Sequence, residues 1–291
     1  MKKIKNVIKR FCIIGCLYMM CFINTGCTST EGKLEVYGGE IVKNSTLSYS
    51  EKYLSYELPI ISSQKIKDFK INEYIISGNG SFDIKYKDLT GGEKYKDWYY
   101  YFANIEVKID SDIDTEISVD SIDMSINGNS INYEVADLNF SNTKAVLGND
   151  IDVEKRSFVY DMEKVYLYQY IPENKQIIAL DIQEDCTITG FKIIDFVDIE
   201  NLVTKVNDTE KNLDEGIVVK KGDKVTFEYN LKYKENVSKN NLIKTTSYIT
   251  YLEENNKDCA FIDEQGIMII NYMNDQFVKD YIDNDIIAEN N

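Results

Sequence analysis

The chain has 291 residues, 33 Lys and Arg against 49 Asp and Glu, a net charge of -16 and no histidine. The missing imidazole excludes Ser-His-Asp and Cys-His nucleophile activation and every His-ligated metal site, and the acidity disfavours nucleic acid and anionic head groups as partners. Apolar residues at 43% and aromatics at 12% exclude an intrinsically disordered chain. Carboxylate-pair chemistry, a Ser-Lys dyad and all-oxygen cation binding remain open.

The chain opens on a basic stretch, with Lys2, Lys3, Lys5, Lys9 and Arg10 and no acid among them. An apolar run of 13 residues follows, Phe11 to Ile23. That is short of the roughly 20 residues a spanning helix needs, and the order of parts is that of a secretory signal. Directly after it, Gly26-Cys27 resembles the lipobox of bacterial lipoproteins. In that family the cysteine thiol receives a diacylglyceryl group and the peptide is cut just before it, and Cys27 holds the matching position. Asn24 departs from the Leu, Val or Ile usual three residues before the cysteine. Ile13-Ile14-Gly15-Cys16 matches those letters more closely but leaves almost no apolar run ahead of it. The resemblance implies a signal and lipobox at 1–27, a lipid anchor on Cys27 and a body on the extracellular face of the cell membrane. The other reading is an ordinarily cleaved or uncleaved signal. Loss of the signal removes five positive charges and no acid, which leaves 28 Lys and Arg against 49 acids.

Residues 28–50 are rich in Ser, Thr, Gly and Glu and read as a tether with one short strand at Leu34 to Tyr37. From about 51 strand signals follow one another. Asp97 to Asp110 alternates: Tyr99, Tyr101, Ala103, Ile105, Val107 and Ile109 on one face, Asn104, Glu106, Lys108 and Asp110 on the other. Trp98, Tyr100 and Phe102 share the polar face, which reads either as an exposed aromatic platform for a ligand or as a strand end buried on both sides. Beyond Thr115 the apolar phase moves from Ile117 and Val119 to Ile122, Met124 and Ile126, which predicts a bulge near Asp120-Ser121. Asn127-Gly128 predicts a hairpin, Gly91-Gly92 a turn, and Ser157 to Ile171 a strand carrying Tyr166, Tyr168 and Tyr170.

Residues 201–216 are polar and weakly periodic and read as a linker. Val225, Phe227, Tyr229, Leu231 and Tyr233 mark a half-buried strand, and Phe277, Val278, Tyr281 and Ile282 have the spacing of a short C-terminal helix. The pattern predicts a mainly β chain of immunoglobulin-like sandwich architecture, with a first sandwich over 51–200 and, over 201–291, either a second β-rich domain in tandem or an extension of the first. An aromatic strand, polar loop, strand, tight turn and strand in that order resemble the immunoglobulin-like domains of small Gram-positive lipoproteins.

Asp110, Asp112 and Asp114 are the densest acids and suggest a calcium loop. Thr115 and Ser121 stand where an EF-hand needs Gly and Glu, which leaves a looser all-oxygen site or a solvated loop. Cys186 and Cys259 form either a disulfide or two buried thiols. No nucleophile motif, phosphate loop or dinucleotide fingerprint is present, so no catalytic residue and no cofactor is assigned. The expected function is non-catalytic: a membrane-anchored envelope module that binds a protein, a peptide or a wall polymer. The alternatives are a carboxylate-dependent glycan hydrolase and a calcium-stabilised adhesin-like module.

Overall fold

Period-two alternation of β-branched and aromatic residues with polar ones makes strands, and the chain forms twenty of them among the described residues. The computed structural model describes residues 33–48, 53–110, 112–148, 151–153, 157–161, 175–238, 240–253, 255–262, 267–270 and 274–287. Tyr166, Tyr168 and Tyr170, and the signal segment with Cys27, lie outside these residues.

The first sheet holds β1 (Val36–Tyr37), β3 (Leu54–Ser62), β6 (Trp98–Ile109) and β5 (Phe82–Tyr95), in that spatial order. It faces part of an eleven-stranded sheet, in which β2 (Val42–Ser48), β9 (Asp137–Asn142), β7 (Glu116–Ile126) and β4 (Phe69–Asn79) lie side by side and β8 (Asn129–Glu134) pairs with β7. The large sheet continues through β18 (Leu242–Glu253) and β20 (Ile267–Ile270) to β13 (Cys186–Ile193), β16 (Ile217–Val219), β19 (Asp258–Phe261) and β10 (Asp152–Val153). A third sheet, with β11 (Phe158–Tyr160), β12 (Gln176–Ile182), β17 (Lys224–Tyr233), β14 (Val197–Val206) and β15 (Thr209–Lys211), covers that second part. The fold is thus mainly β, two sandwiches built from three sheets, and the described residues close with a short helix, α2 (Asp275–Tyr281), continued by a π-helical turn at Ile282–Ile286.

One strand belongs to both sandwiches. Residues 242–246 of β18 pair with β2 and β20, and residues 247–253 pair with β13 and β19. Val36–Asn291 therefore forms one compact unit, and the division expected at residues 200 and 201 falls inside β14. The expected linker is a β-hairpin, with Asn207 and Asp208 at positive φ in its turn. Its periodicity is weak because the register shifts between Glu200 and Val203, where Asn201 also has positive φ.

In the first sandwich Tyr101, Ala103, Ile105, Val107 and Ile109 of β6 are buried, as are Ile117, Val119, Ile122, Met124 and Ile126 of β7. Tyr56 and Phe140 meet edge to face, with ring centroids 6.4 Å apart. The bulge lies where the phase changes: Ile75 pairs with Ser121 and Ile76 with Val119, so Asp120 is the extra residue. Asn127 and Gly128 both have positive φ and close the β7–β8 hairpin. Gly91-Gly92 is not a turn. Both residues lie within β5 at a register shift, and a Cβ on Gly92 would stand 3.0 Å from the Tyr101 ring.

The second sandwich has its own core. Val225, Phe227, Tyr229 and Leu231 of β17 pack with Phe191 of β13 and Tyr251 of β18, and the Phe191 and Phe227 rings stack at 5.0 Å. Cys186 and Cys259 sit in this core as buried thiols. Their strands flank β18, with Cys186 opposite Glu253 and Cys259 opposite Tyr251. Two strand spacings, about 10 Å, separate the backbones, against roughly 7 Å at most for a bridge. Burial raises the Cys186 thiol to about 12, so it behaves as a small core residue.

Strand β3 is paired on one side by β6, but on the other β1 covers only Ile61 and Ser62. Side chains cover part of the rest. Lys244 Nζ donates to the Ser55 carbonyl at 2.6 Å and the Tyr133 hydroxyl donates to the Pro59 carbonyl. Pro59 has no N–H to leave unpaired, which suits such an edge. Burial lowers the Lys244 ammonium to about 8, and the Glu57 charge only partly opposes this. Between about 8 and the ordinary lysine value the unfolded chain binds the extra proton, so this residue's burial penalty is lifted as pH rises through that window. Compared with Lys244→Met, the wild type is expected to gain unfolding free energy from pH 8 to pH 10 in urea titrations. A difference between the two proteins that does not change with pH would refute the assignment.

Candidate interaction surface

The two ends of β6 differ. At its first end Val36 pairs with Ser62 and Ser62 with Tyr99, so the chain joins the body there. Trp98 and Tyr100 are buried and Phe102 is half-buried. Of the two readings of this aromatic face, the strand end buried on both sides holds and the open platform does not, because Val278, Tyr281, Ile282 and Ile286 of the C-terminal helix pack over it. The helical spacing of these apolar residues and the excess of aromatics on β6 are two halves of one contact.

At the far end of β6, roughly 36 Å away at a strand's rise per residue, three connections meet: the β4–β5 turn, the 110–115 loop and the short helix α1 (Thr143–Leu147) after β9. Asn142 organises them and is 1% exposed. Its Nδ2 donates to the carbonyls of Asp110 at 2.8 Å and Ile113 at 2.5 Å. Its Oδ1 accepts from Ala145 N at 3.0 Å, as a helix N-cap, and from Thr115 N at 3.4 Å. Ser81 O accepts from Asp110 N at 2.9 Å and Thr115 Oγ1 accepts from Ser81 N at 3.2 Å, which ties in the turn. Around this frame Phe82, Ile113 and Val146 are exposed at 40%, 50% and 39%. A cleft of about 260 Å³ is lined by Ser81, Phe82, Asp83, Lys108, Asp110 and Asp112.

Of the acids of this loop, the Asp110 carboxylate is used within it. Asp110 Oδ1 accepts from Asp112 N at 2.8 Å, and the Asp112 carbonyl accepts from Lys144 Nζ at 3.0 Å. Thus an ammonium already sits on one of the carbonyls a calcium loop would use. Among the described residues no three His, Cys, Asp or Glu side chains form a metal-holding group, so Asp110, Asp112 and Asp114 do not converge. Asp83 is held below its ordinary value by Lys85 and the Tyr53 hydroxyl.

The second sandwich has a larger cleft of about 520 Å³, lined by Gln183, Glu184, Asp185, Lys221, Glu253 and Asn255 among others. Here Asp185 is held below its ordinary value, by the Lys221 N–H first and then by the Lys220 ammonium. A glycosidase needs one acid raised in its cleft, whereas Asp83 and Asp185 are both lowered. Asp285, raised by burial and the nearby Glu40, lies on the C-terminal helical segment in contact with Asn240.

The sequence pattern drew attention to the loop's acids but not to Asn142, Phe82 or Val146. One signal was present: Asn142 precedes a short helical turn in N-cap position.

No known protein-family model matches the chain, and no curated protein matches it. Among solved structures, it is similar to the secreted serine protease VesC from Vibrio cholerae, at 10% identity over 70% of this chain and 51% of that one, with a TM-score of 0.19. BcpA, the major pilin subunit of Bacillus cereus, aligns at 11% identity over 66% and 64%, with a TM-score of 0.26. The N-terminal periplasmic domain of ScsB from Proteus mirabilis aligns at 9% identity over 83% and 96%, with a TM-score of 0.23. The chain spans about half the length of the protease and just under two thirds of the pilin subunit. At such identities and TM-scores these likenesses say nothing about activity. No helix among the described residues is long and apolar enough to cross a membrane.

Proposed function

We propose that the chain is a non-catalytic binding module of the cell envelope, lipid-anchored through Cys27 on the extracellular face of the membrane. It presents the loop end of the first sandwich to a protein, a peptide or a wall polymer. One observation carries this reading: the loop end is fixed by the buried Asn142, displays Phe82, Ile113 and Val146, and lies at the opposite end of β6 from where the chain joins the body. A pre-ordered surface avoids the entropy cost of arranging loops on binding. The net charge of the chain favours a partner surface with basic residues around apolar ones.

The test has two arms. Cys27→Ser is expected to abolish labelling by a palmitate analogue and to release the protein from the membrane. A photo-crosslinking residue at position 113 is expected to give a defined envelope adduct. The same residue at Val218, an exposed position of the second sandwich at 67%, should not. Equal adducts from both positions, or adducts from 218 alone, would remove the loop end from consideration. Retained label in Cys27→Ser would remove the anchor.

A further inference from the structure

The C-terminal helix does more than cover the aromatic face. Its Tyr281 hydroxyl donates to Glu40 Oε1, and the other oxygen of Glu40 accepts from Gly38 N at 2.9 Å. Ile41 belongs to the same buried cluster as Val278, Tyr281, Ile282 and Ile286, and Tyr37 meets Trp98 edge-on at 5.3 Å. The leading segment, residues 36–41, and the C-terminal helix therefore share one cluster with Trp98 and Tyr100, some 240 residues apart in the chain.

The rim is polar. Asp283 lies 3.1 Å from the Tyr95 hydroxyl and 2.7 Å from Lys96 Nζ, Lys279 Nζ sits 5.7 Å from the Tyr95 ring centre, and Asn240 reaches Asp285 at 3.5 Å. Neither partner has much structure of its own. The helix has seven α and five π residues, and β1 has two. Helices this short do not persist alone in water, so the helix owes its order to the shared cluster, while residues 36–41 hold to the body besides through two β1–β3 pairs and the Ala136 N–H, which donates to the Gly39 carbonyl at 3.1 Å.

We propose that the C-terminal helix is a clasp on the leading segment: the two open and close as one cooperative unit, below global unfolding. Opening uncovers the Trp98, Tyr100 and Phe102 face as a groove that accepts an amphipathic helix with apolar residues at the spacing of 278, 281, 282 and 286. Local units of this kind, held by few buried side chains at a chain end, open at lower free energy than core strands. Opening also releases residues 36–41, so a chain held from its N-terminal side gains that length of tether.

Native-state hydrogen exchange on the full chain is the primary test. Amides of residues 36–41 and 275–286 are expected to share one opening equilibrium, weaker than that of β17 and β18, with one dependence on denaturant. Exchange of the two segments at unrelated rates, or only with global unfolding, overturns the proposal. The second measurement uses Ile282→Asp and the chain's single tryptophan, Trp98. Its emission should shift to longer wavelength while exchange at 36–41 accelerates about tenfold or more. A synthetic peptide of residues 274–287 added in trans should restore the emission. Unchanged exchange at 36–41 in that variant, or a tryptophan indifferent to the peptide, counts against the clasp. If Ile282→Asp does not fold, the wild-type exchange pattern alone decides.

Discussion

Asn142→Ala lowers the unfolding free energy by about 3 kcal/mol and loosens the loop end of the first sandwich. The side chain is 1% exposed and bonded to four backbone groups on two stretches of chain, the 110–115 loop and the helix at 143–147. Alanine leaves the carbonyls of Asp110 and Ile113 and the N–H groups of Thr115 and Ala145 short of their partner. A lost N-cap costs about 1 kcal/mol, and each buried group left unpaired costs about 1–3 kcal/mol where water cannot reach it. The loop end is close to solvent, so water replaces some of these bonds and the total stays near the lower part of that range. Urea denaturation measures the loss. Hydrogen exchange should place the gain in mobility at 110–115 and 143–147 and leave β17 unaltered. Asn142→Asp separates the two halves of the argument. It retains an acceptor for Ala145 N but removes both donors, so the helix cap survives while the 110–115 loop opens. A loss below about 1 kcal/mol for Asn142→Ala would mean that the connections hold themselves, and the pre-ordered surface would lose its basis.

Much of the fold was legible because strands write their burial in period two. The β6 and β17 alternations lie where the pattern puts them, and the phase change at Asp120 marks a bulge that the register shows directly. The short helix was legible in the spacing of Val278, Tyr281 and Ile282. What it covers was not. A strand face carrying Trp98, Tyr100 and Phe102 has the same composition whether it meets a ligand or a helix from the far end of the chain. That ambiguity is resolved only by long-range contact. The hairpin at 197–211 was hidden for a related reason, since its bulge at Asn201 erased the local period. Within the candidate surface the acids stood out by density, yet the residue that shapes the loop is a single buried amide. Its hydrogen bonds join segments about 30 residues apart in sequence.

The edge of β3 shows the same limit in another form. Lys244 looks like any strand lysine in the sequence, and the structure turns it over the Tyr56 ring and onto the Ser55 carbonyl. Its burial carries a desolvation cost, offset by satisfying a carbonyl on a strand edge that β1 leaves uncovered. Edges closed in this way do not offer a template to another chain. The open edge at β5 is guarded differently, by two register shifts and by Lys85, Lys87 and Lys94. Both devices keep the sheet from pairing with another chain along these edges.

Phe227→Ala lowers the stability of both sandwiches together, by about 3–5 kcal/mol. The ring is 0% exposed, stacks on Phe191 with 23° between the planes, and lies on the central strand of the third sheet between β12 and β14. Alanine leaves a cavity that a packed two-sheet core closes only in part. The second half of the prediction rests on β18. Leu242 belongs to the cluster around Trp98, and the next residue, Ile243, belongs to the core that holds Phe227. Because one strand supplies adjacent residues to both cores, loss of the second core removes a neighbour of β2 and of the β18 segment that pairs with it. The slowest-exchanging amides of β6 and β7, all in the first sandwich, should therefore lose the same free energy as those of β17. If β17 is destabilised while β6 and β7 keep their wild-type protection, the two sandwiches fold independently, and the shared strand is only a place where two domains touch. Equal losses would make the tandem a single cooperative body, so that the loop end of the first sandwich draws its rigidity in part from a core it does not contain.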